Sequence, residues 1–122
     1  MFTVYGIPNC NTVKKARTWL EENSIPYTFH DYKKKGITAE KISSWLLHYP
    51  WEKLVNKAGT TWKQLLDEEK ATVTDGKSAT DLMIVKNSVI KRPLIEDETG
   101  KVVALGFLEE EYKRIFLSNE YK

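Results

Sequence analysis

The stretch "VYGIPNCNTVKKA", Val4 to Ala16, changes its hydrophobic period partway along. Its first residues belong to "FTVYGI", a β-branched and aromatic run that Gly6 and Pro8 then break. From Thr12 onward the spacing is helical: Val13, Ala16 and Leu20 share one face, while Lys14, Lys15, Glu21 and Glu22 are polar. The reading is strand, short turn, helix, with Cys10 in the turn. Asn23 and Ser24 end the helix, and "IPYTFHDY" (25 to 32) reads as a second strand in which Tyr27 and Phe29 alternate against Thr28 and His30. Such a βαβ unit favours parallel neighbouring strands joined by a right-handed crossover.

Beyond "KKKG" the pattern turns helical. Ile42, Trp45, Leu46 and Tyr49 predict a helix over 39–48 that Pro50 stops. "WEKLVNKAGTTWKQLL" (51 to 66) is broken by an asparagine and a glycine, and Thr61 with Gln64 three residues on predicts a capped helix from about residue 62. Ser78 and Asp81 repeat that arrangement ahead of a helix predicted at about 79–87. "RPLIED", "ETGK" and "VVALGF" (92 to 107) read as a hairpin, and Leu108, Tyr112 and Ile115 place a last helix over 108–116. The order βαβ, several helices, then ββα fits a thioredoxin-like mixed sheet of the α/β class, with a helical insertion at about 38–88 inside a single domain spanning 1–122.

Composition narrows the function. A chain of 122 residues with 41% hydrophobic and 30% charged content has enough material for one core and no second catalytic domain. Nineteen basic against 17 acidic residues give a net charge of +2, too balanced for a nucleic-acid footprint. There is neither a signal-like leader nor an apolar run of membrane-spanning length, so the expected location is the cytoplasm, without membrane contact. One cysteine excludes an internal disulfide, and with only His30 and His48 beside it a metal centre is not expected.

A thiol at a helix start faces unpaired backbone N–H groups and the positive end of the helix dipole, both of which favour thiolate. Lys14, Lys15 and Arg17 add positive charge one to two turns away, and Arg92 adds more if the hairpin comes alongside. At about 1.36 kcal/mol per pKa unit, two or three modest effects carry a thiol from about 8.5 toward neutrality. Cysteine is also a common buried space-filler, and composition alone does not separate the two readings. The polar flank "GIPNCNT" favours exposure.

A resolving cysteine in a Cys-x-x-Cys turn would stand at Val13, so an adduct on Cys10 needs an outside thiol for its release. Pro93 stands where a strand begins, a position at which no ladder donor is required. The four tryptophans, Trp19, Trp45, Trp51 and Trp62, read as packing residues. Lys33, Lys34 and Lys35 read as a solvated loop, His30 and His48 as ordinary strand and helix residues, and Glu109 and Glu110 as partners of a helix dipole.

Three pieces together resemble the arsenate reductase/Spx-like (ArsC) family, in its YffB-like branch: "YGIPNCNTVKKARTWLEENSIPYTFHDY" (5 to 32), "NKAGTTWKQL" (56 to 65), and "IKRPLI" (90 to 95) with "LGFLEEEY" (105 to 112). The resemblance implies a thioredoxin-like fold, Cys10 as nucleophile, Arg92 as anion-binding catalytic partner, Pro93 as a cis proline, and Asn11, Thr12, Lys57 and Pro93 around the substrate. It implies no bound cofactor or metal; glutathione or another thiol is the reductant, with glutaredoxin as a possible partner, and a monomer is expected. Two arginines that hold the oxyanion in arsenate-reducing relatives fall here on Asn56 or Lys57 and near Gly106, so a glutathione-dependent monothiol reductase is the main expectation and glutaredoxin-coupled arsenate reduction an alternative. A second alternative is a Spx-like transcriptional regulator that binds the RNA polymerase alpha subunit; redox-switch Spx proteins carry Cys-x-x-Cys, where this chain has Val13.

Overall fold

The computed structural model describes residues 1–117. Two compact units emerge: Met1–Asp31 together with the chain from Arg92 onward, and Tyr32–Lys91.

The first unit carries a sheet. Strand β1 (Phe2–Gly6) leads into helix α1 (Asn11–Glu22), and strand β2 (Tyr27–Asp31) follows. After the helical unit come β3 (Leu94–Glu96), β4 (Val102–Leu105) and the terminal helix of this unit, Glu109–Phe116. Sheet order is β2-β1-β3-β4. β1 pairs parallel with β2, Val4 facing Phe29, and antiparallel with β3, Val4 facing Ile95. The expected βαβ and ββα halves therefore meet at β1 and β3, which gives the mixed sheet. One face of α1, Ala16, Trp19 and Leu20, packs with Val4, Ile95, Ala104, Tyr112 and Phe116 into the core of this unit. Trp19, Tyr112 and Phe116 meet there at tilted and edge-on angles, an arrangement aromatic quadrupoles favour.

β1 and α1 are drawn together at Gly6. A Cβ at that position would stand 2.9 Å from Val13 Cγ2 and 3.2 Å from Val13 Cγ1, so the first turn of the helix lies as close to the strand end as a glycine permits. Cys10 occupies the seam that results. At the other end Asn23 caps α1 and Ser24 takes a left-handed conformation (φ 57°), the chain reversal read from this pair.

In the second unit the elements are α2 (Tyr32–Lys35), α3 (Ala39–Leu46), α4 (Trp51–Leu54), α5 (Thr60–Lys63), α6 (Asp67–Ala71), α7 (Gly76–Val85) and a 3-10 turn at Asn87–Val89; the terminal helix of the first unit is then α8. α7 packs against α3 and α4. Three expectations are corrected here. Lys33–Lys35 form the single turn α2 rather than a loop. Thr61 caps nothing: α5 begins at Thr60 behind Gly59, whose N–H bonds to the Asn56 carbonyl at 3.1 Å, and the turn starts where that loop closes. α7 starts at Gly76 because Asp75 is its cap: Asp75 Oδ1 accepts from the Ser78 N–H (2.9 Å) and Ser78 Oγ accepts from the Asp75 N–H (3.1 Å). Ser78 thus stands at the inner position of a reciprocal box and not at the cap.

Candidate active site at the β1–α1 turn

Cys10 is the N-cap of α1. Its backbone is extended (φ −93°, ψ 123°), its N–H bonds to the Ile7 carbonyl at 3.2 Å, and its carbonyl accepts the first helical bond from the Lys14 N–H at 2.9 Å. Both ends of the residue are therefore held by backbone. Pro8, Asn9, Asn11 and Thr12 around it are exposed, and Cys10 itself is partly exposed. The packing-only reading of this cysteine finds no support in such surroundings.

Arg92 comes to the same place through the sheet. Because Tyr5 of β1 faces Leu94 of the antiparallel β3, residues upstream of Leu94 run toward the end of β1 that feeds the Cys10 turn. The Arg92–Pro93 peptide is cis, as the family resemblance implies. Pro93 is buried, and its carbonyl accepts from the Gly106 N–H at 2.7 Å. Gly106 has φ 84°, and its carbonyl accepts from the Tyr112 hydroxyl at 2.7 Å. The Arg92–Pro93 step is thereby tied to the end of β4 and to α8.

These neighbours set the acidity of the thiol. Partial burial pushes Cys10 up, but the Val13 backbone N–H, then Arg92 through its donor and its charge, then the Thr12 N–H pull the other way, and the thiol lies below its ordinary value. The neutral sulfur makes no formed cap bond; the free N–H groups of the first turn stabilise the thiolate instead. Arg17, grouped with the lysines on sequence grounds, is turned away from this task. Its guanidinium lies 4.0 Å from the Phe29 ring centroid and its Nε donates to the Tyr27 hydroxyl at 3.0 Å.

The first unit therefore brings together Cys10, Asn11, Thr12, Arg92 and Pro93. Lys57 belongs to the helical unit, where its ammonium lies 5.0 Å from the Trp51 ring and 5.5 Å from the Trp62 ring. That role for two half-buried tryptophans is one the sequence reading missed; Trp-x5-Lys-x4-Trp spacing was its only trace. Among the described residues no group of three His, Cys, Asp or Glu side chains is placed to hold a metal ion, and no helix is long and apolar enough to cross a membrane.

A thiol at the first βα turn of a mixed sheet, opposite a buried proline at a strand start, defines a thioredoxin-like protein. More narrowly, the chain belongs to the ArsC family, whose model matches residues 5–115. It is similar to the YFFB (PA3664) protein at 39% identity and a TM-score of 0.86, over 94% of this chain and 98% of that one. An arsenate reductase (ArsC) related protein from Brucella melitensis is 46% identical, with a TM-score of 0.74 over 94% of this chain and 93% of the other. The global transcriptional regulator Spx of Streptococcus pyogenes serotype M1 is 27% identical over 100% of this chain and 89% of its own length.

Proposed function

We propose that this chain is a monothiol reductase in which the Cys10 thiolate attacks a disulfide or other oxidised substrate and glutathione, with glutaredoxin, or a comparable thiol releases the product. In the disulfide case the Cys10 sulfur bonds to one substrate sulfur as the substrate S–S bond breaks, and the electron pair leaves with the other sulfur as a thiolate. A second thiolate then attacks the adduct, restores Cys10 and carries the oxidation away as a new disulfide. Arg92 holds the thiolate and meets negative charge on the substrate; the first-turn N–H groups at Asn11 and Thr12 and the Pro93 step complete substrate binding within this unit. Val13 in place of a resolving cysteine makes the external thiol obligatory, and such a thiol supply suits the reducing cytoplasm.

The observation that carries this reading is a partly exposed thiol held at the N-cap of α1, where the first-turn N–H groups and Arg92 favour its thiolate. Its test is the pH dependence of Cys10 alkylation by iodoacetamide. Only the thiolate reacts, so a depressed pKa moves the rising limb of the profile to lower pH than that of a free thiol. Arg92→Ala removes two of the influences that lower the pKa, and its profile is expected to shift to higher pH, with a slower rate at pH 6 and a smaller difference at pH 9. A wild-type midpoint at or above that of free cysteine sinks the reading.

The likeness to Spx favours a second reading, a regulator that binds the RNA polymerase alpha subunit without turnover. Pull-down with the C-terminal domain of that subunit separates the two. The reductase reading expects none to be retained.

A further inference from the structure

Helices are stabilised by acidic residues in the first turn and basic residues in the last, because the backbone dipole is positive at its N-terminus. In the same unit α8 follows this rule: Glu109, Glu110 and Glu111 open it, Lys113 and Arg114 close it, and ion pairs join the two sets. α1 reverses it. No acidic residue stands in its first turn and no basic one in its last; Lys14 and Lys15 lie in its N-terminal half and Glu21 and Glu22 at its end. Both lysines are exposed, and among the described residues neither has an ion-pair partner. Lys14 stands one turn beyond Cys10, on the stripe that residues four apart share. Arg92, two residues ahead of β3, approaches the same sulfur and adds its charge. Two exposed cations in the N-terminal half of α1, with Arg92 at the thiol, give this end of the helix an excess of positive charge.

We propose that Lys14 and Lys15 determine the charge of the sulfur compound that reaches Cys10, and that the preferred substrate class is a disulfide whose sulfurs are flanked by carboxylates. This inference rests on Cys10 as the nucleophile and adds the selectivity of its site. The chemistry is thiol–disulfide exchange: the Cys10 thiolate forms a bond to one sulfur of RS–SR, the RS–SR bond breaks, and RS⁻ departs with the electron pair and takes a proton from water. With R anionic, the lysines raise the local concentration of the substrate. The Cys10 adduct then presents the same carboxylates to them.

The test measures second-order rates of mixed-disulfide formation, followed by mass, for the full chain with three symmetric disulfides: dithiodipropionate (dianion), bis(2-hydroxyethyl) disulfide (neutral) and cystamine (dication). Intrinsic reactivities differ among the three, so the readout is the ratio of wild type to Lys14→Glu/Lys15→Glu for each compound, in which they cancel. At low ionic strength the ratio is expected to be about tenfold or more for the dianion, below one for the dication, and within about twofold of one for the neutral compound. Raising salt to about 0.5 M, where screening acts over a few Å, collapses the three ratios together. Lys14→Gln/Lys15→Gln falls between wild type and the double Glu variant. Equal ratios for all three compounds overturn the charge selection while leaving the nucleophile in place. Failure of every disulfide to modify Cys10 overturns the nucleophile itself, and the inference falls with it. Both substitutions fall on exposed positions and follow the dipole rule, so the variants are expected to fold.

Discussion

Cys10→Ser is expected to abolish the glutathione adduct and all thiol-dependent turnover. The wild-type chain incubated with oxidised glutathione is expected to gain one glutathione moiety at Cys10, to be read by intact mass and located by peptide mapping; the Ser variant is expected to gain none. The size of the effect follows from the surroundings. The Val13 and Thr12 N–H groups and Arg92 stabilise an anion on sulfur against the opposing effect of partial burial, and for a thiol this shifts the balance toward the nucleophilic thiolate. A serine hydroxyl in the same place has far too high a pKa for such help to ionise it, and it needs an adjacent general base. Cys10 is the only cysteine in the chain, so no second thiol can take its place and the loss is expected to be complete. An adduct in the Ser variant, or undiminished turnover, excludes Cys10 as the nucleophile. Because the residue is held by its backbone, through Ile7 and Lys14, the variant should keep its fold, with an unchanged circular dichroism spectrum.

What could be read in advance, and what could not, divides along physical lines. The strand–turn–helix at the start is legible because Gly6 and Pro8 punctuate it and the period changes within a few residues. β2 and α1 follow from the same signal. The middle is harder, since α2, α4 and α5 are four residues long and α6 five, too short to show a helical period. The start of the longer α7 is misplaced for a different reason: its cap is Asp75, whose partner Ser78 looks like a cap itself. Within the site, Cys10 is visible from its place in the turn. Arg92 is visible only conditionally, if the hairpin comes alongside, because its approach depends on the register that sets Leu94 against Tyr5, and periodicity carries no register; its role at the site comes from the family resemblance. Arg17 misled for a related reason. It stands seven residues after Cys10 on one side of the helix, but its long side chain finds Phe29 and Tyr27 on the neighbouring strand.

Arsenate is the substrate on which the family and the residues part. In the presence of glutathione and glutaredoxin, this chain is expected to consume NADPH through glutathione reductase no faster with arsenate than without it. The family resemblance implies that arsenate-reducing members share Cys10 and Arg92 and hold the oxyanion with two further arginines. Near the later of those positions stands Gly106, which has no side chain to offer. Its backbone is also committed, the N–H to the Pro93 carbonyl at 2.7 Å and the carbonyl to the Tyr112 hydroxyl at 2.7 Å, and its φ of 84° would strain an arginine placed there. At the other position Lys57 keeps a positive charge, held over two indole rings, yet an ammonium is a point charge and cannot reproduce the two-pronged geometry of a guanidinium on a tetrahedral oxyanion. A lost donor of this kind costs about 2.7–4 kcal/mol of transition-state stabilisation. Two together lower the rate by about four to six orders of magnitude, below detection in a coupled assay. The glutathione adduct at Cys10 should form regardless, since disulfide exchange places no tetrahedral anion in the site. Robust arsenate-dependent turnover by the wild type would overturn this expectation and assign oxyanion binding to Lys57, and Lys57→Ala would then abolish it while leaving the adduct intact.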